Sequence, residues 1–368
     1  MKTGHLYSVS DKAIFDAINN SKVTIHEIFD LFFSRGILIS KDTSRRDLAE
    51  YFSRLTHGYH DFQMLYETLG TATRREKSTS CEISNSVTSD ELVIAAQELC
   101  SKINSEGNRA DSNILANGDI EITIKYTKLH LEKSELRQTV NKEAVLIIES
   151  NKQGFTLRTP LNEDASGWKE DLLQKIQAES SAEVSFNEIT LEHIQSPELR
   201  TEFFTTLIKQ IGNNVLHDVT DVYVYHPKSV SSDGDQEFSD EEDDEVDFGV
   251  HITKASLKGE GVLQSEELHG LYEKGFYIWK IVWRCKESIV GSDMIECEAQ
   301  FANPQACADF SYMTKGFYRY KSQGVYAVGR TMLTYTQEKL FLQNLEAKAR
   351  MVVTLISDKA SGGKNVED

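Results

Sequence analysis

Residues 276–283, Phe-Tyr-Ile-Trp-Lys-Ile-Val-Trp, form the most apolar stretch of the chain. In an extended conformation this sequence puts apolar side chains on both faces, which is typical of a strand in the middle of a sheet. The stretch is interrupted by Lys280 and is far shorter than the ~20 residues that span a bilayer. It therefore predicts a central β-strand and not a membrane segment.

Segments typical of strands and helices alternate on both sides of this stretch from about residue 117 onward. Ile120, Ile122 and Ile124 recur with the period of two that marks a half-buried strand. An apolar stripe from Phe341 to Ile356 predicts a long C-terminal helix. The whole pattern predicts an α+β protein with these parts: a small helical module at 1–70, a linker with one helix at 71–116, a larger mixed-sheet domain at 117–358, and a disordered tail at 359–368.

The first 70 residues contain clear signals for the beginning and end of helices. Thr24-Ile25-His26-Glu27 and Ser44-Arg45-Arg46-Asp47 are capping boxes, and Gly36 and Gly58 follow the two predicted helices. The spacing predicts that Phe33 and Tyr51 belong to the apolar faces of these helices.

Residues 24–55 resemble the SAP module, a small helix–extended–helix fold that binds DNA. The resemblance rests on the spacing of Ile28, Leu31, Gly36, Ser40, Leu48 and Leu55. The segment 41–44 is longer than in the family and lacks its Gly-x-Lys. The resemblance implies contact with duplex DNA, for which the basic candidates are Arg35, Lys41, Arg45, Arg46 and Arg54. The alternative is a helical docking module whose basic side chains are only solvated.

The net charge of −18 argues against a protein that coats nucleic acid through bulk charge, but the acidity is local. Ten acidic and no basic residues lie between 233 and 247, in a predicted disordered insertion near 229–247. The centre of this segment, Asp240, Glu241, Glu242, Asp243 and Asp244, is a candidate site for a basic partner. The rest of the surface is then expected to repel the duplex, so that DNA binding by the N-terminal module would be weak, local and strongly dependent on salt.

One arrangement of carboxylates is similar to the metal site of a nuclease. Asp293, Glu296 and Glu298 lie on or beside a predicted strand, and their spacing resembles the Asp…Glu-x-Lys pattern of restriction-endonuclease-like folds. In those folds the carboxylates hold Mg²⁺ and the lysine orients water. Gln300 stands where the lysine is expected, so the alternative is an ordinary outer strand face.

Five widely spaced cysteines without a Cys-x-x-Cys pair predict reduced thiols in a cytoplasmic protein, with no structural metal. The preferred interpretation is a non-catalytic, DNA-associated accessory protein of a prokaryotic defence or mobile-element complex. It would need no cofactor, and it would bind duplex DNA together with a protein partner or a second copy of itself. Two alternatives stay open: a Mg²⁺-dependent nuclease, and a scaffold or inhibitor that acts through its acidic segment.

Overall fold

The computed structural model describes residues 9–20, 23–70, 75–84, 86–133, 135–151, 154–180, 182–227 and 253–362. The α-helices in these ranges are α1 (Asp11–Asn19), α2 (Ile25–Phe33), α3 (Arg45–Ser53), α4 (Tyr59–Gly70), α5 (Ser89–Ser105), α6 (Glu163–Glu179), α7 (Pro197–Leu207), α8 (Glu266–Glu273) and α9 (Tyr335–Gly362). The predicted α+β class is confirmed.

The strands in the same ranges form antiparallel pairs. They are β1 (Ser78–Ser84), β2 (Arg109–Ile114), β3 (Ile120–Leu129), β4 (Thr139–Asn151), β5 (Gly154–Pro160), β6 (Phe186–Glu188), β7 (Gln210–Ile211), β8 (Asn214–Tyr225), β9 (Lys254–Lys258), β10 (Tyr277–Glu287), β11 (Met294–Asn303), β12 (Ala308–Tyr318), β13 (Tyr320–Ser322) and β14 (Val325–Tyr326).

The chain divides into two compact units, and each is built from separate parts of the sequence. Unit 1 comprises Met1–Arg75, Ser86–Ser150 and Asn162–Val184, and unit 2 comprises Glu76–Asn85, Asn151–Leu161 and Ser185–Asp368. The predicted boundaries at residues 70 and 117 differ from this division. The reason is that the segment 71–116 is not a linker: it contains β1, α5 and β2.

Strand β1 was missed because its sequence, Ser-Thr-Ser-Cys-Glu-Ile-Ser, is mostly polar. It pairs with β5 along its whole length, from Ser78 opposite Pro160 to Ser84 opposite Gly154. Its polar side chains have partners, since Arg350 of α9 donates to the backbone and hydroxyl of Ser80 and pairs with Glu82 at 3.1 Å. A polar strand can therefore lie inside a sheet.

Unit 1 begins with the four helices α1 to α4. Thr24 and Glu27 form the predicted capping box, whereas Asp47, with a side chain shorter than that of glutamate, accepts from the Ser44 hydroxyl instead. Both predicted helices are confirmed as α2 and α3. Helix α1 was not predicted, and its buried side chains include two alanines, which weaken the apolar pattern.

Two side chains of this module differ from the predicted burial. Phe33 is 69% exposed and Tyr51 is 65% exposed, although both follow the apolar spacing of their helices. The core is formed by their neighbours on the same helices, among them Ile28, Phe32 and Phe52. The apolar stripe in the sequence is therefore wider than the buried face.

In the rest of unit 1, β2, β3 and β4 form antiparallel neighbours in that order. Helix α5 packs against α6, and the two helices are joined at their surface by ion pairs from Lys102 to Asp171 and from Lys175 to Glu98. The ring of Trp168 contacts the edge of Tyr126 from β3.

Unit 2 is a sheet with strand order β5-β1-β12-β11-β10-β8-β7, to which β6 adds beside β1 and β9 beside β8. Strand β10 contains the apolar stretch 277–283 and pairs with β11 on one side and β8 on the other, so its predicted central position is confirmed. A large aromatic core lies where α7 meets the sheet, with Phe203 and Phe204 packed on Phe301 and Phe310.

Helix α9 is fastened to the sheet by a buried carboxylate. Glu346 is only 5% exposed, and Arg158 of β5 reaches both of its oxygens, from Nε at 2.5 Å and from a terminal nitrogen at 2.8 Å. The hydroxyl of Tyr312 from β12 donates to the same carboxylate. The helix continues to Gly362, so residues 359–362 of the predicted tail are helical.

The predicted acidic insertion, including Asp240–Asp244, lies between β8 and β9 and outside the described residues, as do residues 363–368. None of the helices in the described part of the chain combines the length and the hydrophobicity that a membrane span requires.

Replacing Glu346 by Gln should lower the free energy of unfolding by roughly 3 kcal/mol, because Arg158 would keep its buried charge without a counter-charge. Asp358→Asn, on an exposed part of α9, is the matched control and should change it by less than about 0.5 kcal/mol. Urea unfolding of both variants measures the difference. Equal stability of the two variants would show that the buried pair does not hold α9.

Candidate nucleic-acid interface

Arg45, at the start of α3, is a structural residue of the helical module. Its guanidinium donates to the backbone carbonyls of Ile18 at 3.1 Å, Asn20 at 3.0 Å and Val23 at 2.6 Å. These carbonyls lie at and just after the end of α1, where helical backbone acceptors lack intrahelical partners. The guanidinium therefore ties α3 to α1 and is not directed at a ligand.

Arg35 has a similar internal role. It donates to the carbonyl of Thr56 at 2.9 Å, pairs with Asp61 at 2.7 Å and lies over the ring of Phe52. Burial alone would raise the pKa of Asp61, but hydrogen bonds from Arg35 and from the Gly58 N–H outweigh it and lower that pKa. The predicted role of Arg35 in DNA contact is therefore replaced by a role in holding the segment after α3.

The other three candidates of the module lie at its surface. Arg54 pairs with Glu50 one turn earlier at 2.5 Å. Lys41 and Arg46 are exposed, and neither forms an ion pair with another residue in the described ranges. Of the five candidates predicted from the sequence, these two present unpaired cationic groups to solvent.

Arg45→Gln should therefore destabilise the protein by about 2 kcal/mol, because three carbonyls lose a charged donor. Arg46→Gln removes the same charge from the next residue without removing an internal contact, and should leave the free energy of unfolding unchanged within about 0.5 kcal/mol. Denaturant unfolding compares the two. If both variants had the same stability, the assignment of Arg45 as a structural residue would be wrong.

The three predicted nuclease carboxylates lie on or next to β11, but each already has partners. Asp293 accepts from the backbone N–H of Tyr320 at 2.7 Å. Glu296 pairs with Arg284 at 3.1 Å and with Arg330 at 2.5 Å, and it accepts from the hydroxyl of Tyr318 at 2.9 Å.

Glu298 is surrounded by three lysines from three parts of unit 2. Its Oε1 lies 2.6 Å from Nζ of Lys77, which precedes β1, and 2.8 Å from Nζ of Lys280 on β10, while Oε2 lies 3.3 Å from Nζ of Lys315 on β12. The carboxylate side chain is only 4% exposed. Lys77 also donates to the side-chain oxygen of Gln300.

These pairings do not favour a Mg²⁺ site at β11. A magnesium ion needs carboxylate oxygens directed at it, and here Glu296 and Glu298 face guanidinium and ammonium groups. Among the described residues there is no group of three His, Cys, Asp or Glu side chains placed to hold a metal ion. The geometry is that of an ion-pair cluster.

The cations around β11 belong to a larger set in unit 2, which we call the basic face. On β10, Lys280, Arg284 and Lys286 lie directly opposite Gln300, Glu296 and Met294 of β11, and opposed side chains point to the same side of a sheet. Contacts through carboxylates and rings extend the set to eight cationic residues: Lys77, Lys254, Lys258, Lys280, Arg284, Lys286, Lys315 and Arg330.

Aromatic rings lie among these cations. Nζ of Lys280 is 4.6 Å from the ring centre of Tyr223, and the Arg284 guanidinium is 5.0 Å from that of Tyr318. Trp279 sits where a β-bulge interrupts the pairing of β10 with β8, and Lys254 lies over its ring at 5.3 Å. The rings orient the cations through cation–π attraction.

Cations outnumber the carboxylates that they contact on this face. Among the described residues, the eight cations pair with or lie opposite four carboxylates, Asp218, Asp221, Glu296 and Glu298, in a chain of net charge −18. Asp221 pairs with the exposed Lys258, and Asp218 lies opposite Arg284. An excess of Lys and Arg on one face is the electrostatic feature expected of a phosphate-binding surface.

Opposing effects set the pKa of Glu298. Its burial by itself would raise the pKa, but hydrogen bonds from Lys280 and Lys77, together with their charges, outweigh the burial and lower the pKa from 4.5 to about 2. The ionised form is therefore the one that the fold stabilises. This stabilisation is complete above pH 4.5 and is lost as the pH falls toward 2.

The difference in stability between the wild type and Glu298→Gln should shrink as the pH is lowered from 6 to 3. The carboxylate contributes about 3 kcal/mol at neutral pH through its lowered pKa, and protonation removes this contribution. Urea unfolding at several pH values measures the difference. A difference that did not change with pH would mean that the lysines do not stabilise the ionised carboxylate.

The fold and this face define an α+β protein with a cationic sheet surface. Comparison with known proteins does not assign the chain to a family. No protein-family model matches the chain, and neither does any curated protein.

Most residues of the basic face were not predicted from the sequence. In the sequence, Lys280 is distinguished only as the residue that interrupts an apolar run. The signal that could have been used is the spacing of Lys280, Arg284 and Lys286, which are separated by even numbers and so share one side of a strand. The contributions of Lys77 and Lys315 depend on which strands become neighbours.

Proposed function

We propose that the protein is a non-catalytic, DNA-associated accessory protein that holds the phosphate backbone on its basic face. The observation that carries this proposal is the excess of cations on that face in a strongly acidic chain. Lysine and arginine contacts to phosphates supply most of the non-specific affinity of DNA-binding proteins, and this affinity falls steeply with salt. Acidic residues elsewhere repel the duplex, so binding is limited to surfaces that carry cations.

The helical module supports a second, weaker contact with duplex DNA. Helix α2, the non-helical residues 37–40 and helix α3 follow one another in the order that the resemblance to the SAP module implies. Lys41 and Arg46 flank the N-terminal end of α3, where backbone N–H groups also favour a phosphate. Arg45 holds this end in place from inside the module.

A protein partner, or a second copy of the chain, completes the proposal. Phe33, Leu38 and Tyr51 of the helical module are 65–84% exposed, which supports a surface that is covered in a complex. All five cysteines are described, buried and free of disulfides, which agrees with a reducing compartment such as the cytoplasm.

Fluorescence anisotropy with a labelled duplex, measured over a series of salt concentrations, tests the proposal on the full chain. Lys258→Gln/Lys286→Gln should weaken binding about tenfold and reduce the salt slope by about two, because two phosphate contacts are lost. Lys41→Gln/Arg46→Gln should have a smaller effect in the same direction.

The matched control is Lys209→Gln/Lys274→Gln, which removes the same charge from exposed positions outside both surfaces. It should leave the affinity within about twofold of the wild type. The proposal fails if the wild type shows no salt-dependent binding, or if the control weakens binding as much as the variant of the basic face.

A further inference from the structure

We propose that the turn between β10 and β11 is an apolar wedge that enters the minor groove of duplex DNA and separates two stacked base pairs. The wedge consists of Ile289 and Val290, and residues 289–292 are called the apolar turn below. This inference rests on the proposed function, because the basic face has to hold the duplex before the apolar turn reaches the bases. It adds a deformation of the DNA to that function.

The apolar turn presents aliphatic side chains where polar ones are usual. Val290 is 94% exposed and Ile289 is 69% exposed. Turn positions normally hold glycine, proline, asparagine, aspartate or serine. Both residues are β-branched, so their side chains are stiff and lose little conformational freedom when they are covered. Two adjacent side chains of this kind form a small, rigid apolar projection.

The backbone of the apolar turn is fixed by its own hydrogen bonds. The N–H of Ser292 donates to the carbonyl of Ile289 at 3.2 Å, and the Ser292 hydroxyl donates to the carbonyl of Glu287 at 2.9 Å. Gly291 has a φ of +89°, which a type II turn requires at its third position. Val290 is therefore held at the second position, at the apex of a defined turn.

The neighbouring hairpin β13–β14 supports the apolar turn. A Cβ atom added to Gly291 would lie 3.7 Å from the ring of Tyr320, so the backbone of the turn packs against this ring. The N–H of Tyr320 donates to Asp293, the residue just after the turn, at 2.7 Å. The rings of Tyr320 and Tyr326 meet edge to face, with 5.6 Å between their centres. The position of the turn is thus fixed by the hairpin as well as by its own hydrogen bonds.

Cations connect the apolar turn with the basic face. Lys286 lies three residues before Ile289, and its Nζ is 3.5 Å from the hydroxyl of Tyr326 in the hairpin. Arg319 and Lys321, at the first strand of the same hairpin, are exposed and form no ion pair with another residue in the described part of the chain. The two apolar side chains are therefore accompanied by three cations, and both walls of a DNA groove are lined by phosphates.

The arrangement of the cations favours DNA over a membrane surface. Lys280, Arg284 and Lys286 share one side of β10 over six residues, or about 20 Å, and the apolar turn continues the strand. A duplex that lies along the strand contacts this row with its backbone and the turn with its groove. If the turn entered a membrane instead, the far end of the row would lie beyond the Debye length of about 8 Å and would contribute little.

Insertion of a wedge has a consequence that phosphate contacts alone do not have. It opens the stack and bends the duplex, which brings more of the DNA backbone to the protein and offsets the cost of unstacking. This cost is lower where the bases are already mismatched. A protein with a wedge therefore prefers a mismatched duplex to a fully paired one of the same length and charge.

The test uses the full chain and fluorescence anisotropy with two labelled duplexes of about 20 base pairs, one fully paired and one with two adjacent mismatches at its centre. The wild type should bind the mismatched duplex about tenfold more tightly, because part of the stack is already open. Ile289→Ser/Val290→Ser should bind both duplexes equally and keep the salt slope of the wild type, because no cation is removed. Ile114→Ser/Leu131→Ser, which replaces two exposed aliphatic residues of unit 1, is the matched control and should keep the preference.

Melting temperatures establish that the variants are folded, and the outcomes separate the wedge from the proposed function. If the wild type binds both duplexes equally, or if Ile289→Ser/Val290→Ser keeps the preference, the wedge is disproved while the proposed function stands. If neither duplex binds, both fail. Sedimentation with vesicles of phosphatidylserine and phosphatidylcholine is a further arm: binding that the wild type shows and this variant loses would assign the apolar turn to a membrane surface and overturn the inference.

Discussion

An ionised carboxylate that leaves water has to be neutralised by cations, and strand β11 is organised around this requirement. Cys297 and Ala299 belong to the hydrophobic core, while Glu296 and Glu298 alternate with them and are only 6% and 3% exposed. The cations that neutralise them come from the residue before β1, from β10, from β12 and from the segment before α9. A single strand thus fixes the position of four other parts of unit 2.

Buried charges are also neutralised where α9 meets the sheet, but there the cations and the carboxylates are equal in number. Glu346 accepts hydrogen bonds from one arginine and one tyrosine hydroxyl, while Arg350 pairs with one carboxylate and donates to backbone oxygens, so these charges are matched within the fold. Such contacts specify the position of the helix along its axis, which a hydrophobic stripe alone does not. At β11 the cations outnumber the carboxylates that they contact, so the balance there differs from the one-to-one pairs of α9.

The regular elements were largely predictable because their signals are local. The capping box at Thr24, the proline at the start of α7 and the apolar run of β10 each specify an element within a few residues. Strand β1 was not predictable in this way, since its polar side chains are satisfied by α9, more than 250 residues later. Burial of Phe33 and Tyr51 was predicted wrongly because helical spacing shows which residues share a face, but not how much of that face is covered.

The sequence identifies the two carboxylates of the candidate site, but it does not show whether they bind a metal ion or form ion pairs. Glu296 and Glu298 stand out in the sequence as a pair with even spacing, and the same pair is compatible with a metal site or with ion pairs. The choice depends on Lys77 and Lys315, which are more than 200 residues apart and meet only because β1 and β12 are neighbours. The spacing of residues in the sequence does not predict such a contact between distant segments.

The early position of β1 in the chain has a consequence for synthesis on the ribosome. When residues up to Val184 have been made, β1 and β5 can pair, but the other edge of β1 still lacks β6 and β12, which end at Glu188 and Tyr318. An unpaired strand edge that waits for its partner is a site of association between nascent chains. The serine, threonine and glutamate side chains of β1 make the strand hydrophilic while it lacks these neighbours, and a hydrophilic strand is less prone to associate with another chain than an apolar one.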